Sequence, residues 1–379
     1  MDHVSTPEQI LRRFWQGILL TAGGLLALAT LLVALVSQKH FLIAPLAYVP
    51  KVWAGVALFG LSLLGWRWRP RWTVIGCLSA LFYLAVVLEW RTPRPIPAGA
   101  AWTVVTVNAG DQDLPSWQRW IRRQTPDLIG YCEMSGHPQF ASAPANAAHL
   151  PHTRRYGPFA LASRFPIIAA RSISPRGADG RPALPFLPAV RFEVDFPEGP
   201  TAVWVVHVRS PRTDFKKYRE WQRWKWIWDR PADLHQRETL QGYWQEQAAA
   251  IEYLKSQIAA DTLPVLVLGD WNVPDSGPRY AEVTRGLIDA HRAAGTGYGY
   301  TFPGDLQVGL AAGRPWMRID YILAPADAWE VLHCQVQDDA ANSQHRAVLA
   351  RLRRRRPLPK APPSTPLTAP RAAAAGHLR

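Results

Sequence analysis

Seven polar side chains in this sequence stand where short apolar runs end. Asn108 closes TVVTVNAG, Glu133 follows PDLIGYC, His207 ends AVWVVHV, Asp270 and Asn272 end PVLVLGDWN, Asp320 sits in RIDYIL, and His345 in NSQHRAV. Carboxylates, amides and imidazoles are the groups that hold hard cations through oxygen and pass protons near neutral pH. Each alone is ordinary: a Glu after a strand is usually a solvated loop residue, and a His at a strand end is usually structural. Their meaning lies in the series, and depends on a fold that gathers them. Cys77, Cys132 and Cys334 are too few and too far apart for a disulfide scaffold or a thiolate zinc site. Without a Cys/His cluster, metal chemistry here points to Mg²⁺ or Mn²⁺ rather than Zn²⁺.

The elements that must position these groups can be read from the apolar pattern. Thr103–Val107, Phe159–Ala162, Val190–Val194, Ala202–Val208, Val265–Leu268, Arg318–Leu323 and Ala347–Leu352 are short and β-branched, and are predicted strands. Ser116–Gln124 and Tyr243–Ile258 are predicted helices, the second with Ala, Ile and Leu at i, i+3 and i+4 spacing. Such a mixture predicts an α/β domain of four layers: two mixed β-sheets packed face to face, with helices outside.

In order and spacing the series resembles the endonuclease/exonuclease/phosphatase superfamily. The family's motifs correspond here to Asn108, Cys132-Glu133, Ser163-Arg164-Phe165-Pro166, His207-Val208, Gly269-Asp270-Trp271-Asn272, Ile319-Asp320-Tyr321 and Ser343-Gln344-His345. The resemblance covers about residues 100–352 and implies metal-dependent phosphoester hydrolysis. It implies that Glu133 is a ligand to Mg²⁺ or Mn²⁺, with Asn108 as its neutral oxygen partner. His345 would touch the phosphoryl oxygens while Asp320 holds its other ring nitrogen. Asp270 would activate or orient the attacking water with Asn272 fixing it, and His207 would donate to a phosphate oxygen as charge accumulates. Gln344 departs from the pattern, since the family usually has Asp there, and a second metal is correspondingly less expected.

The first ninety residues are of another kind. Three apolar runs, near Phe14–Val36, Ala44–Leu64 and Trp72–Trp90, are each about 20 residues long, enough for a hydrocarbon core of ~30 Å. Residues 1–91 are therefore expected to be an anchor of three transmembrane helices, joined by the Pro-rich stretch Arg91–Pro97 to a catalytic domain at 98–352. Arg12 and Arg13 precede the first run, and Arg67, Arg69 and Arg71 fill the link between the second and third. The positive-inside rule puts both groups in the cytoplasm and the catalytic domain outside a bacterial-type inner membrane.

The formal net charge of +14 invites a nucleic-acid reading, but eight Lys and Arg and no acid lie in residues 351–379. Residues 353–379, basic and rich in Pro and Ala, are predicted to be a disordered tail. Between His207 and the Tyr243 helix, Tyr218, Trp221, Trp224 and Trp228 recur among Lys and Arg. That mixture suits a lipid headgroup interface, a single-stranded nucleic acid or a plain surface helix. The function expected is a phosphoester hydrolase at the outer membrane face, acting on a lipid-linked phosphate or pyrophosphate. Superfamily members of this layout, the glycopeptide-resistance type among them, imply polyprenyl-pyrophosphate phosphatase activity. The alternatives are a surface-tethered nuclease, a sphingomyelinase-like phosphodiesterase and an inactive binding module. The expected partners are the bilayer and a phosphorylated lipid, with nucleic acid as the second choice and no obligate protein partner evident.

Overall fold

The computed structural model describes residues 6–40, 43–110, 114–134, 150–177, 179–184, 186–211, 234–304, 314–338 and 344–355. The chain opens on α1 (Pro7–Leu35), whose start is fixed by a reciprocal cap: Thr6 Oγ1 accepts from Gln9 N, and the Gln9 side chain accepts from Thr6 N. The apolar helices α2 (Val52–Leu64) and α3 (Pro70–Phe82) follow, and α3 runs on into a π-helical turn, Tyr83–Val87. Only 11% of the apolar window of α1 is buried, and 17% of that in Pro70–Val87, so neither is the core helix of a globular domain.

Among the described residues two helices, not three, are long and apolar enough to cross a membrane. The second apolar run yields only the 13-residue α2, about 20 Å long and short of the ~30 Å core. Proline is the reason. Pro45 opens a 3₁₀ turn, Ala44–Tyr48, and Val49 before Pro50 is extended, as a residue preceding proline prefers. The continuous helix expected from hydropathy is thus cut at its N-terminal third. Where α2 meets α3, glycine allows close approach: a Cβ on Gly76 would stand 2.2 Å from Ser62 Oγ.

The remainder is built on two mixed six-stranded sheets. One has the order β11-β12-β1-β2-β4-β3, comprising β1 (Trp102–Asn108), β2 (Leu128–Cys132), β3 (His152–Tyr156), β4 (Phe159–Ser163), β11 (Trp329–Val336) and β12 (Val348–Arg354). The other has the order β5-β6-β7-β8-β10-β9, comprising β5 (Ile167–Ile173), β6 (Ala189–Phe196), β7 (Gly199–His207), β8 (Val265–Asp270), β9 (Ile288–Asp289) and β10 (Asp320–Ala324). Each sheet has one parallel pair, β1 with β2 and β7 with β8. Val104, Leu128, Val205, Leu268 and Leu352 fill the space between the sheets. Trp117 and Ile121 of α4 (Leu114–Gln124) cover one outer face, and Ile251 and Leu254 of α5 (Leu234–Ala259) cover the other. Two short helices, α6 (Pro278–Thr284) and α7 (Ala290–Ala294), complete the second layer.

All seven predicted strands are present, with ends shifted by a few residues. Strands β2, β3, β5, β9 and β11 are not among the predicted ones. β3 and β5 are edge strands, largely exposed, so they lack the apolar alternation that marks a half-buried strand. β12 extends to Arg354, two residues beyond the expected domain end, because Arg354 donates to Thr201 Oγ1 (2.8 Å) and lies over the Trp329 ring. Trp221, Trp224 and Trp228 and the basic residues around them lie outside the described residues, as do Ser343 and the tail from 356 onward.

Candidate active site

Sheet register brings the seven residues to one end of the sandwich. Asn108 ends β1 beside Cys132, which puts Glu133 one residue further on. In the opposing sheet His207 pairs with Asp270, and Asp270 with Asp320. His345 stands just before β12, whose antiparallel run along β1 returns it to the same edge. A run of β-branched residues thus ends in a polar group because the pleated core stops there.

Asp270 is at the centre and is buried. Its Oδ2 accepts from Asn108 Nδ2 at 3.1 Å and from Asn272 Nδ2 at 3.2 Å, and its Oδ1 accepts from Asn272 N at 2.8 Å. His345 Nε2 and His207 Nε2 stand 3.8 and 3.9 Å from Asp270 Oδ2. His345 Nδ1 is 3.0 Å from Asp320 Oδ2, and His207 Nε2 is 3.0 Å from Glu133 Oε1. Two tight conformations hold this arrangement. Glu133 and Asn272 both have left-handed backbone, at φ of 58° and 50°. Gly269, at φ 138°, lets β8 turn so closely past β7 that a Cβ there would lie 2.0 Å from Val206 O.

The charges follow from this crowding. Burial opposes the ionised form of Glu133, but the hydrogen bond and charge of His207 outweigh it and hold the carboxyl down to about 2. Burial and the neighbouring Asp320 push Asp270 the other way, well above the usual carboxylate range. Burial would discharge His345, yet Asp320 and Asp270 overcome it and raise the imidazolium to about 9. His207 is likewise raised, against its burial, by Glu133 and Asp270.

A hard cation suits this donor set. Asp270, Asp320 and His345 each offer a ligand atom, all within 4.8 Å of one another. Asp320 Oδ1 is buried with no hydrogen bond, which leaves a lone pair for such an ion. On the other side, Gly110 keeps room beside two oxygens: a Cβ there would sit 2.3 Å from Glu133 Oε2 and 3.2 Å from Asn108 Oδ1. Oxygen donors on a partly exposed carboxylate and an amide match the demands of a small divalent ion, which keeps water and substrate as its other ligands.

The sequence of residues 107–345 matches the profile of the Endonuclease/Exonuclease/phosphatase family. The chain belongs to that family. Its members are metal-dependent phosphoesterases and nucleases. No curated protein matches the sequence. Among solved structures the chain is similar to an endonuclease/exonuclease/phosphatase from Beutenbergia cavernae, at 17% identity and TM-score 0.47, over 68% of this chain and 72% of that one. It is similar to a mannosyl-6-phosphatase of Bacteroides thetaiotaomicron, at 15% identity and TM-score 0.43, over 66% of this chain and 99% of that one. It is also similar to humanized TDP2 of D. rerio, at 16% identity and TM-score 0.45, over 67% of this chain and 100% of that one.

The family motifs are not all at the site. Ser163–Pro166 lies at the opposite end of the sandwich, where Ser163 pairs with Leu128 at the start of β2 and Arg164 forms an ion pair with Asp127 at 2.9 Å. Several residues that hold the site were not singled out from the sequence. Thr301 Oγ1 accepts from Ile319 N and Asp320 N, and the Phe302 ring packs on His345 at 4.8 Å between centroids. Tyr48, from the 3₁₀ turn in the apolar segment, donates its hydroxyl to Asn272 O at 3.0 Å. No local pattern marks these residues; Tyr48 and Asn272 are 224 positions apart.

Proposed function

We propose that this protein is a divalent-cation-dependent phosphoester hydrolase, held in the membrane and acting on a lipid-borne phosphate or pyrophosphate at the outer face. The convergence of Asn108, Glu133, His207, Asp270, Asn272, Asp320 and His345 on one buried edge carries the hydrolytic reading. Glu133 and Asn108 would hold Mg²⁺ or Mn²⁺. Bound there, the ion supplies positive charge for the phosphoryl oxygens and for the leaving oxygen. His345 keeps its proton because Asp320 faces its Nδ1, so its Nε2 N–H is set to donate to a phosphoryl oxygen. His207 offers a second N–H on the Glu133 side. Asp270, whose affinity for a proton is raised, takes the proton of the attacking water, and Asn272 and Asn108 fix its two oxygens for that purpose.

Two observations support the lipid and the outer face. The outward sides of α1 and α3 are leucines, isoleucine and phenylalanine at half exposure or more, such as Leu25 (62%), Leu28 (54%), Leu78 (61%) and Phe82 (60%), a surface suited to hydrocarbon. Arg12 and Arg69 meet at the end of the bundle away from the site, where Arg69 Nε donates to Arg12 O at 3.2 Å and Trp15 stacks on Trp68. On the positive-inside rule that end faces the cytoplasm and residues from about 98 to 354 lie outside.

The test is a substrate panel on full-length protein in detergent: polyprenyl pyrophosphate, a phospholipid, a small soluble phosphoester, plasmid DNA and single-stranded DNA. Each is assayed with Mg²⁺, with Mn²⁺ and with chelator. Phosphate release from the polyprenyl substrate that chelator abolishes, and that Glu133→Gln lowers by about 10²–10⁴-fold, is the expected result. Cleavage of DNA in preference to lipid would replace this reading with that of a tethered nuclease. Turnover that ignores chelator would remove the metal.

A further inference from the structure

Between the apolar helices and the α/β part lies a cavity of about 370 Å³, within the ~300–1,000 Å³ typical of small-molecule sites. Its walls have two characters. Leu26, Ala29 and Val33 of α1, with Ala54 of α2 and Val87 of the π turn, make an apolar part. Lys51, Glu89, Asp275 and Arg292 make a charged part at the end next to the catalytic half. Val33 is buried, while Val49 and Val87, also on the lining, are 45% and 38% exposed, so the cavity runs from inside the bundle to its surface.

We infer that this cavity binds one hydrocarbon chain of a bilayer phospholipid, with the phosphate of that lipid at Lys51. The inference rests on the membrane reading above but not on any particular substrate. Depth is the first argument. From Leu26 to the end of α1 at Leu35 is about 13 Å, close to one leaflet of a ~30 Å hydrocarbon core. The apolar part therefore lies level with lipid tails, and the charged part level with headgroups. The charges are the second argument. Arg292 is satisfied by Glu89 at 2.6 Å. Lys51 donates to Ala47 O at 2.9 Å and to Ser276 Oγ at 2.7 Å, which uses two of its three N–H donors and leaves one for a phosphate oxygen. A buried apolar wall joined to such a cation matches an amphipathic molecule with an anionic head, and bilayer lipid is the one present on all sides of these helices.

The site would also connect the membrane to the catalytic edge. Asp275, on its lining, stands three residues after Asn272 and faces Arg318 at 3.4 Å. A chain in the cavity would pack the junction beneath that loop.

Full-length protein is reconstituted in nanodiscs of palmitoyl-oleoyl phosphatidylglycerol and released for native mass spectrometry. Wild type should retain a lipid after release. Ala29→Phe and Ala54→Phe, which fill the apolar part from different helices, should lower retention roughly tenfold each. Leu28→Phe, on the outward face of α1, should leave it unchanged. Equal retention by all four proteins would mean surrounding lipid only and overturn the inference, as would no retention by wild type. If one filling variant shows a collapsed thermal midpoint, the other decides. Alkaline carbonate washing of membranes separates the failures. Protein that washes off sinks the membrane reading itself, and protein that stays but carries no lipid sinks this inference alone.

Discussion

Asp320 sets the protonation of His345 more than any other group, since its carboxylate faces Nδ1 at 3.0 Å inside a buried site. It raises the imidazolium to about 9 against the effect of burial, so a step that needs the His345 proton persists through neutral pH and fades as pH rises through about 9. In Asp320→Asn that alkaline limb should move to lower pH, together with a loss of about 10²–10⁴-fold in kcat/KM. A pH–rate profile at saturating Mg²⁺ reads both, and an unmoved limb would assign it to another group. His291 behaves in the opposite sense. Burial and then the Arg318 charge lower it from 6.5 to about 4, so it is neutral in the folded protein. The unfolded chain binds the proton more readily between those values. The stability His291 contributes is therefore complete above about 6.5 and is lost as pH falls toward 4, by up to about 3 kcal/mol. Thermal midpoints across that range should fall more steeply for wild type than for His291→Gln.

At the scale of elements, the site depends on a segment that does not belong to the sandwich. The 3₁₀ turn Ala44–Tyr48 inserts Tyr48 so that its hydroxyl donates to Asn272 O and its own carbonyl accepts from Trp316 Nε1 at 3.0 Å. Gln247 of α5 reaches the same Asn272 carbonyl at 3.4 Å. Because Asn272 is held in a left-handed conformation, its orientation needs such outside support. Tyr48→Phe removes one neutral hydrogen bond, a loss of about 1 kcal/mol. It should lower kcat severalfold on a small soluble phosphoester with little change in KM. An effect on KM alone would place Tyr48 with the substrate rather than behind the loop.

For the whole molecule the question is which way the bundle points. Gln38, Lys51 and Glu89 meet the α/β part at one end, through Arg279, Ser276 and Arg292. Arg12 and Arg69 meet each other at the far end. A periplasm-active reporter fused after Ala98 should therefore be active, and one fused near Trp68 inactive. The reverse pattern would put the catalytic half in the cytoplasm and favour a nucleic-acid substrate. The shortness of α2 bears on the same experiment. Its 13 residues can join the two ends only where the layer is thinned or the flanking turns lie inside it.

By itself the sequence determined the two-sheet α/β plan and the seven polar groups at its strand ends, because period-two burial and motif order are written along the chain. It also determined that the first ninety residues are apolar and that their basic residues cluster. Edge strands such as β3 and β5 left no such trace, since an exposed strand has no buried face to encode. The break of the second apolar run is local, set by Pro45 and Pro50, which hydropathy does not register. Tertiary structure alone decided that Ser163–Pro166 lies away from the site. It also decided the protonation of the cluster. Asp270, Asp320 and His345 lie 25 to 75 positions apart along the chain, yet each brings a ligand atom within 4.8 Å of the others, and a pKa depends on distance in space. Tyr48 against Asn272 is the same lesson across the boundary between the apolar helices and the sandwich, where only folding puts a hydroxyl beside that carbonyl.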